Sequence, residues 1–457
     1  MGVTVRPFAA VRPKSELASA VAALPYDVMN TEEAREMAAG NPYSFLRVDK
    51  AEIDLPPATD PYDAAVYAKA GENLQELISR AMMRDNKPCF YIYRLTGYGQ
   101  VQTGLAACVS AAEYEAGIIK RHEFTRPDKE LDRINHMLAC EAHTGPIFLA
   151  YRDPSTPSEG HHRLQECEAL SSVTKPDNEC EGATGDASPK AIMAEWAEKQ
   201  ATYDFTAEDG VRHQLWVVDD AVVIAALAGA FKNIPALYIA DGHHRNATAA
   251  IVAKQRNEAA ANANPDAEHN FYLAVIFPHD ELAILDYNRV VKDLNGADAT
   301  VFLTALEAEW HVEKRDEAVK PAQKFEVGMY LANAVEGSDA GIETGLGVWY
   351  RLTLKKPPNS SDPIENLDCS ILQNKLLDPL LGIHDPRADK RIDFVGGIRG
   401  LTELEKRVNS GEMAVAFALF PTSMDELMGV ADANQIMPPK STWFEPKLRS
   451  GLLVHKF

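Results

Sequence analysis

The most informative segment of the sequence places acidic, imidazole and guanidinium side chains directly after an apolar run. Residues 236–240 read Ala-Leu-Tyr-Ile-Ala, and residues 241–245 read Asp-Gly-His-His-Arg. This pattern predicts a short buried strand over 236–240, a tight turn, and a helix over 246–260. The opening amides of a helix lack intrahelical partners and lie at the positive end of its dipole, so a strand, turn and helix in series favour a phosphate site.

Each residue of this turn has a predicted role. Gly242 lets the backbone approach an anion closely, His243 and His244 donate ring N–H groups, and Arg245 binds phosphate oxygens bidentately. Asp241 would repel a bare phosphate, so we expect it to hold Mg²⁺ beside the phosphates or to accept a proton from a hydroxyl group. A purely structural network is the alternative, although so many polar groups after a buried strand are costly to place without a ligand.

A second cluster contains His122 and Glu123, followed by Lys129 and Arg133. Glu123 is a candidate general base, or a metal ligand beside His122, and both are predicted catalytic residues. Lys129 and Arg133 are four residues apart, so they share one face of a predicted helix, and that face would bind phosphate. The alternative for Lys129 is an ordinary surface ion pair with a neighbouring aspartate.

A third cluster lies near the C-terminal end of the sequence. Lys440, Ser441 and Thr442 precede two aromatic residues and are predicted to close over a phosphorylated ligand. The alternative is a terminal arm that the aromatic side chains anchor. The pair Asn288-Arg289, after a further predicted strand, is a weaker candidate for an anion contact.

The elements that position these residues predict a mixed α/β fold. Residues 1–295 are predicted to form an N-terminal core with an inserted loop region at about 152–190. Residues 296–457 are predicted to form a C-terminal α/β domain whose terminal arm returns to the core. Residues 159–163 read Glu-Gly-His-His-Arg, nearly the same letters as 241–245, but no strand precedes them, so we interpret them as an exposed loop.

Two local signals predict individual elements with particular clarity. Asn30, with Glu33 three residues later, is typical of a helix N-cap with a capping box, and predicts a helix through Ala39. Gly97-Tyr98-Gly99 separates two strand-like segments and predicts a hairpin rather than a nucleotide loop, since no helix follows it.

Composition excludes several function classes. The chain has 46 Lys and Arg against 67 Asp and Glu, a net charge of −21 with neutral His, which disfavours nucleic acid as a partner. None of the six cysteines forms a C-x-x-C pair, so they are expected to be buried free thiols in a reducing compartment. The first residues contain no apolar leader segment, and the longest apolar run, 221–231, is too short to span a bilayer. A cytoplasmic protein without membrane contact is therefore predicted.

Short blocks spread along the chain resemble the signature of domain-of-unknown-function family 1015. They are Pro25-Tyr26-Asp27-Val28 with Asn41-Pro42, His122-Glu123-x-Thr125, Lys129-x-x-Asp132-Arg133, Pro146-Ile147-Phe148, Ala240-Asp241-Gly242-His243-His244-Arg245, and Met437-Pro438-x-Lys440-Ser441-Thr442-x-Phe444-x-Pro446-Lys447. Only the Asp241–Arg245 block is specific by itself.

That block also resembles the phosphate motif of the ParB/sulfiredoxin superfamily. Its residues, Asp-Gly-His-His-Arg, are most similar to the motif of the free-serine kinases. The resemblance implies a ParB/sulfiredoxin-like phosphate-binding core in which Gly242 to Arg245 bind nucleotide phosphates and Asp241 acts near Mg²⁺ and a serine hydroxyl. Mg²⁺ and ATP or ADP are the implied cofactors, and serine or phosphoserine the implied substrate. Those kinases are shorter and use an N-terminal catalytic Glu, for which Glu123 and Glu33 are the candidates here. Asn288 stands where family members often have His.

The leading hypothesis is therefore a Mg²⁺-dependent phosphotransferase that acts on a small hydroxyl substrate. A phosphoserine phosphatase would use the same anion cradle and water as the acceptor. A non-enzymatic, ParB-like nucleotide-binding regulator is a third hypothesis. A zinc hydrolase built on His122, Glu123, His243 and His244 is disfavoured, because adjacent histidines seldom bind one metal together.

Overall fold

The computed structural model describes residues 2–156, 187–260, 264–334 and 344–457. Its strands are β1 (Val5–Arg6), β2 (Val11–Pro13), β3 (Met82–Arg84), β4 (Phe90–Gly97), β5 (Gln100–Ser110), β6 (Ile119–Lys120), β7 (Ala142–His143), β8 (Ile147–Tyr151), β9 (Tyr203–Thr206), β10 (Arg212–Val218), β11 (Leu237–Asp241), β12 (Phe271–Pro278), β13 (Ile284–Leu285), β14 (Tyr287–Val291), β15 (Trp310–Arg315), β16 (Glu326–Ala334), β17 (Thr344–Leu354), β18 (Ile392–Gly396), β19 (Val415–Leu419), β20 (Trp443–Phe444) and β21 (His455–Lys456). Its α-helices are α1 (Ala18–Val21), α2 (Thr31–Met37), α3 (Leu46–Asp49), α4 (Ala64–Ala81), α5 (Ala111–Glu115), α6 (Pro127–Cys140), α7 (Pro189–Trp196), α8 (Ala221–Phe231), α9 (His243–Ala259), α10 (Ala299–Leu306), α11 (Asp368–Leu372), α12 (Gly400–Asn409) and α13 (Met424–Asp432).

The described chain divides into two compact units. The first unit contains Met1–Lys120, Thr125–Leu282 and Pro446–Phe457, and the second contains Arg121–Phe124 and Ala283–Glu445. The domain boundary expected at residues 295/296 stays a prediction. The repeated motif at 159–163 and most of its loop lie outside the described residues.

A mixed nine-stranded sheet forms the centre of the first unit. Its order is β6-β11-β8-β12-β5-β4-β10-β9, and β1 pairs with β5. Strand β11 runs parallel to β6 and antiparallel to β8, and β8 runs parallel to β12. The predicted mixed α/β class is confirmed.

The central strands of this sheet are apolar along their whole length because both faces are covered. Every residue of β8 and of β12 is buried. Helix α9 contributes Ala249, Val252 and Ala253 to the same core as Leu149 and Ile239 of the sheet. The start of α9 is therefore held against the end of β11 by packing on the sheet.

Both local signals in the sequence are confirmed. The Asn30 side chain accepts a bond from the Glu33 amide, and the Glu33 carboxylate accepts one from the Asn30 amide, although α2 ends at Met37 instead of Ala39. The hairpin between β4 and β5 turns through Tyr98 and Gly99, whose φ angles are 55° and 75°. Two positive φ values match the twist of the flanking strands, as in a type I′ turn.

The second unit is built on a six-stranded antiparallel sheet. Its order is β15-β17-β16-β19-β14-β18. Helix α12 packs Leu404 and Val408 against Val290, Val395 and Ala416 of the sheet. This packing covers one face of β14, the strand that carries Asn288 and Arg289.

Two further expectations concern thiols and membranes. Cys89, Cys108, Cys140 and Cys369 are buried and free, as predicted, and the other two cysteines lie outside the described residues. Within the described ranges, none of the helices combines the length and apolar character that a membrane span requires.

Candidate functional site

The turn between β11 and α9 depends on a glycine. Gly242 has φ +90° and ψ 29°, a left-handed conformation that residues with a Cβ rarely adopt. A Cβ at this position would lie in ordinary contact with Ile147, at 3.6 Å, so the backbone conformation and not a lack of space requires glycine. Since Gly242 makes the whole turn, α9 begins at His243, three residues before the predicted start at Asn246. The opening amides of α9 therefore directly follow the end of a buried strand.

Asp241 occupies the last position of β11 with its carboxylate held at both oxygens. Oδ1 accepts a 2.8 Å bond from the Gly242 amide, and Oδ2 accepts a 2.8 Å bond from Lys447 Nζ. Burial would raise the pKa of Asp241, but the Lys447 ammonium and the Gly242 amide bring it below the usual value. The carboxylate is therefore ionised at neutral pH, while its side chain remains 40 % exposed.

Arg245 forms an ion pair with a fully buried carboxylate, that of Asp49. Its Nη2 donates to Asp49 Oδ2 at 3.1 Å, and the Asp49 side chain has no exposed surface. Thr144 donates a further 2.9 Å bond to Asp49 Oδ1. Burial would raise the pKa of Asp49, but Arg245, with smaller contributions from its neighbours, lowers it to about 2. The pair therefore stays ionised and fixes the guanidinium.

Gly145 provides the space for this guanidinium, so Gly145→Ala should displace it. An added Cβ would lie 1.8 Å from Arg245 Nη1 and 2.8 Å from Ser450 Oγ. We expect a loss of about 1–3 kcal/mol in the free energy of unfolding, as for other overpacked sites. Urea denaturation measures this loss.

Gly229→Ala is the matched control. Gly229 lies on the exposed side of α8, and a Cβ there meets nothing within 4 Å. Alanine should leave stability unchanged or raise it by up to about 1 kcal/mol. If the Gly145 variant is as stable as this control, the close approach of Arg245 to Gly145 is wrong.

The two histidines of the turn differ in their surroundings. His243 is buried in the first turn of α9, and His244 is half-buried. His244 Nε2 accepts a 3.1 Å bond from the Arg126 amide, which assigns its proton to Nδ1. Burial lowers the pKa of His244 below its usual value, so the ring is neutral at neutral pH. Any N–H donation by His244 to a ligand therefore comes from Nδ1.

Helix α6 carries both predicted phosphate-binding cations, but in different surroundings. Lys129 Nζ donates to the Tyr62 hydroxyl at 2.8 Å. Arg133 donates to Asp132 at 2.9 Å and lies 4.0 Å from the centre of the Tyr26 ring. Arg245 lies 5.2 Å from the same ring. The structure thus brings Arg133 and Arg245 together around Tyr26 and leaves Lys129 with Tyr62.

A cleft in the first unit contains the end of β11 and the start of α9. Its apolar lining is Pro25, Pro146, Phe148 and Leu448, and its polar lining is Asp27, Asp241, Gly242, Arg245, Lys447 and Ser450. The glycine turn therefore opens onto a concave surface with two cations and two carboxylates. Such a mixture of apolar walls and convergent polar groups is typical of small-molecule sites.

Lys447, Asp27 and Asp49 are functional candidates that were not predicted as site residues from the sequence. Lys447 and Asp27 occur only as letters of family blocks, and Asp49 lies in none of them. The segment around Lys447 is fixed by backbone bonds of 2.9 and 3.1 Å between Ser450 and Ala23. Gln102 also donates to the Pro446 carbonyl at 3.3 Å. The place of Lys447 in the last family block was the signal available in the sequence.

The remaining predicted site residues belong to the second unit. His122 is buried, its carbonyl accepts a 2.8 Å bond from Met437, and Glu123 is exposed. Ser441 is buried and donates its hydroxyl proton to the Pro438 carbonyl at 2.6 Å. Their catalytic and phosphate-binding roles stay predictions, as do those of Lys440 and Thr442.

A family comparison bears on this arrangement. The sequence model of the family described as "Protein of unknown function (DUF1015)" matches residues 5–184 and 182–370, well over half of the sequence. The chain belongs to the DUF1015 family. The resemblance of its short blocks to that family is therefore confirmed. No curated protein matches this DUF1015 chain.

Solved structures similar to this DUF1015 protein include three proteins of low sequence identity. A conserved hypothetical protein from Pyrococcus furiosus is 13 % identical, with 76 % of this chain and 94 % of that chain covered and a TM-score of 0.31. SbnI with a C-terminal truncation, from Staphylococcus aureus, is 11 % identical, with coverages of 76 % and 86 % and a TM-score of 0.33. A free serine kinase in complex with AMP is 12 % identical, with coverages of 76 % and 91 % and a TM-score of 0.32. Similarity this distant supports no statement about the activity of the DUF1015 protein.

Proposed function

We propose that this protein is a Mg²⁺-dependent phosphotransferase that transfers a phosphoryl group from a nucleotide, ATP or ADP, to a small hydroxyl substrate, with free serine as the first candidate. One observation carries the proposal. The glycine turn at Gly242, the cations of Arg245 and Lys447, and the carboxylate of Asp241 all line one cleft. Phosphoryl transfer depends mainly on positioning and charge neutralisation, which these groups supply.

The donor phosphates are assigned to the start of α9. The amides of its first turn point out of the helix, and Gly242 lets an anion come close to them. Arg245 lines the cleft with its guanidinium already oriented by Asp49, so little conformational entropy is lost on binding. The Lys447 ammonium adds a second positive charge at the same surface.

Asp241 is assigned the role of binding the acceptor hydroxyl. The oxygen of this hydroxyl attacks the terminal phosphorus of the donor. The bond from that phosphorus to the bridging oxygen breaks, and the shortened nucleotide leaves. The hydroxyl proton passes to the Asp241 carboxylate. Since the pKa of Asp241 is lowered, this carboxylate orients the hydroxyl and takes the proton only as the transition state forms.

The carboxylates in the cleft fit a hard divalent cation. Asp241 and Asp27 both line it, and carboxylate oxygens are the ligands that Mg²⁺ prefers. When bound there, Mg²⁺ would neutralise charge on the donor phosphates. The choice of serine comes from the resemblance of the Asp241–Arg245 block to the motif of the free-serine kinases.

Product analysis tests the proposal directly. The purified protein is incubated with Mg²⁺, serine, and ATP or ADP, and ³¹P NMR follows phosphoserine and inorganic phosphate. Formation of phosphoserine supports the kinase direction. Release of inorganic phosphate from phosphoserine, without nucleotide, would replace it by a phosphatase. Nucleotide binding without turnover of any hydroxyl substrate would contradict the proposal and favour a regulator.

Lys447→Met is expected to lower kcat by about 10- to 100-fold, the value of a hydrogen bond between charged groups. Without the ammonium, burial of Asp241 is less opposed and its pKa rises. The acid limb of the kcat profile should therefore move to higher pH. Steady-state kinetics across pH measure both effects.

Lys456→Met is the matched control, since Lys456 lies in the same terminal segment. Its Nζ donates to the Cys140 carbonyl at 2.9 Å, and it is not among the residues lining the cleft. The control should keep both kcat and its acid limb. Lys447→Arg should recover part of the rate, because it restores the positive charge. An unshifted acid limb in Lys447→Met would exclude an effect through Asp241.

A further inference from the structure

A buried arginine lies in the sheet of the second unit. Arg289 occupies the middle of β14, opposite Phe394 of β18 and Phe417 of β19. Only 4 % of its surface is exposed. Guanidinium groups remain charged in proteins even when burial lowers the pKa, as it does here. The structure therefore places a permanent positive charge among aromatic side chains.

No carboxylate among the described residues lies within ion-pair distance of this guanidinium. Nη1 donates to the carbonyl of Tyr287. Burial lowers the pKa of the guanidinium, and the Cys369 thiol and the Tyr287 hydroxyl group act in the opposite direction. The Phe394 ring lies 5.5 Å from its central carbon. A cation–π contact and one carbonyl bond recover only part of the free energy that desolvating a guanidinium requires.

Arg407 of the same unit shows how this chain otherwise buries an arginine. Its side chain is 14 % exposed and forms ion pairs with Asp393 and Glu412. Arg289 is more deeply buried and lacks such partners in the described part of the chain. The contrast leaves Arg289 as a buried cation without a counterion among the described residues, which an oxyanion ligand would supply.

A second cation adjoins the same aromatic residues. Lys440 Nζ lies 5.7 Å from the centre of the Tyr287 ring. The centres of the Trp443 and Phe394 rings lie 5.3 and 6.1 Å from the same centre, both in T-shaped geometry. Lys440 is exposed, with a left-handed φ of 55°. Within the described ranges, it too has no carboxylate at ion-pair distance. Two cations, one exposed and one buried, thus both contact Tyr287 without a carboxylate partner among the described residues.

We propose that Arg289 and Lys440 form a binding site for a phosphate-type oxyanion in the second unit, either free or as a phosphomonoester. Lys440 provides the exposed contact, and Arg289 provides charge-assisted N–H donors at the buried end. Ser441 is not a donor in this site, because its hydroxyl proton is bound to Pro438. The site does not depend on the proposed phosphotransferase activity, and its test requires no substrate.

The test compares two substitutions of arginine that are expected to change the thermal midpoint in different ways. Arg289→Met replaces an uncompensated buried charge by an apolar side chain of similar length, so the thermal midpoint without phosphate should stay the same or rise. Arg407→Met leaves two carboxylates without their partner, so its midpoint should fall. Differential scanning calorimetry of the full chain measures both variants.

The second readout is the rise in midpoint caused by inorganic phosphate over chloride of matched ionic strength. Wild type and Arg407→Met should show the full rise, Arg289→Met should lose most of it, and Lys440→Met should show a reduced rise. Comparing variants cancels general salting effects and phosphate bound in the first unit. Repeating the titration with a phosphomonoester distinguishes the free anion from an ester.

Two results would overturn the site. An undiminished phosphate response in both Arg289→Met and Lys440→Met shows that these residues bind no phosphate. A midpoint of Arg289→Met as low as that of Arg407→Met shows that Arg289 is structural. Lys440 is exposed, so its variant remains informative even if Arg289→Met fails to fold. Neither result bears on turnover at Asp241, which is measured separately.

Discussion

Replacing Asp241 with Asn should lower kcat by about 10²- to 10⁴-fold, the usual effect of removing a positioned proton acceptor. The amide keeps the size of the side chain but cannot accept the hydroxyl proton. The negative charge that opposes phosphate disappears as well, so ADP should bind at least as tightly in the absence of Mg²⁺. Rapid-quench kinetics and calorimetric titration with ADP measure the two effects separately.

Asp204→Asn provides the comparison for this variant. Asp204 is a carboxylate of the first unit that pairs with Arg212 on an exposed edge of the sheet. Its replacement should change neither kcat nor the ADP affinity. Should the Asp241 variant retain wild-type turnover, Asp241 has no part in proton transfer and the proposed chemistry fails.

The largest effect on stability is expected for Asp49→Asn. This change leaves Arg245, whose side chain is 13 % exposed, beside a neutral amide at a fully buried position. Breaking a buried ion pair from one side costs up to about 3–5 kcal/mol. Arg133 and His136 also act on Asp49, so the loss affects a network and not a single contact. Urea denaturation at neutral pH measures the change, and Asp204→Asn should show a far smaller one.

The pH dependence of stability gives an independent check on Asp49. Its folded-state pKa of about 2 lies below the unfolded value, so its stabilising contribution is present above pH ~4 and disappears as pH falls toward 2. A shift of this size corresponds to about 2 kcal/mol. Wild type should therefore lose more stability than Asp49→Asn between pH 5 and pH 2 (roughly the window of this titration). Equal slopes in the two proteins would show that Asp49 is not ionised through its contact with Arg245.

The sequence was sufficient where structure depends on near neighbours. The succession of a buried strand, a glycine turn and a helix at 236–245 follows from hydrophobic runs and from the conformation that Gly242 allows. The capping box at Asn30 and the hairpin at Tyr98 have the same local origin. The start of α9 lies earlier than predicted, because the single residue Gly242 completes a turn to which the prediction gave five residues, 241–245.

The partners of the turn could not be predicted because they come from distant parts of the chain. Asp49 lies 196 positions before Arg245, and Lys447 lies 206 positions after Asp241. No periodicity or spacing in one sequence relates residues so far apart. Gly145 shows the same limit, since its importance follows from the guanidinium that occupies the space of an absent side chain.

The discontinuous sequence of the first unit has a consequence for biosynthesis. Pro446–Phe457 belongs to this unit but follows Ala283–Glu445 in the chain. At a translation rate of ~5–20 residues per second, about 160 intervening residues delay Lys447 by roughly 10–30 s. During that interval the nascent protein contains Asp241 and Arg245 but lacks the lysine that completes the cleft. Capture of the proposed nucleotide during translation should therefore be weak, and a ribosome stalled before residue 446 should yield a chain without the assembled cleft.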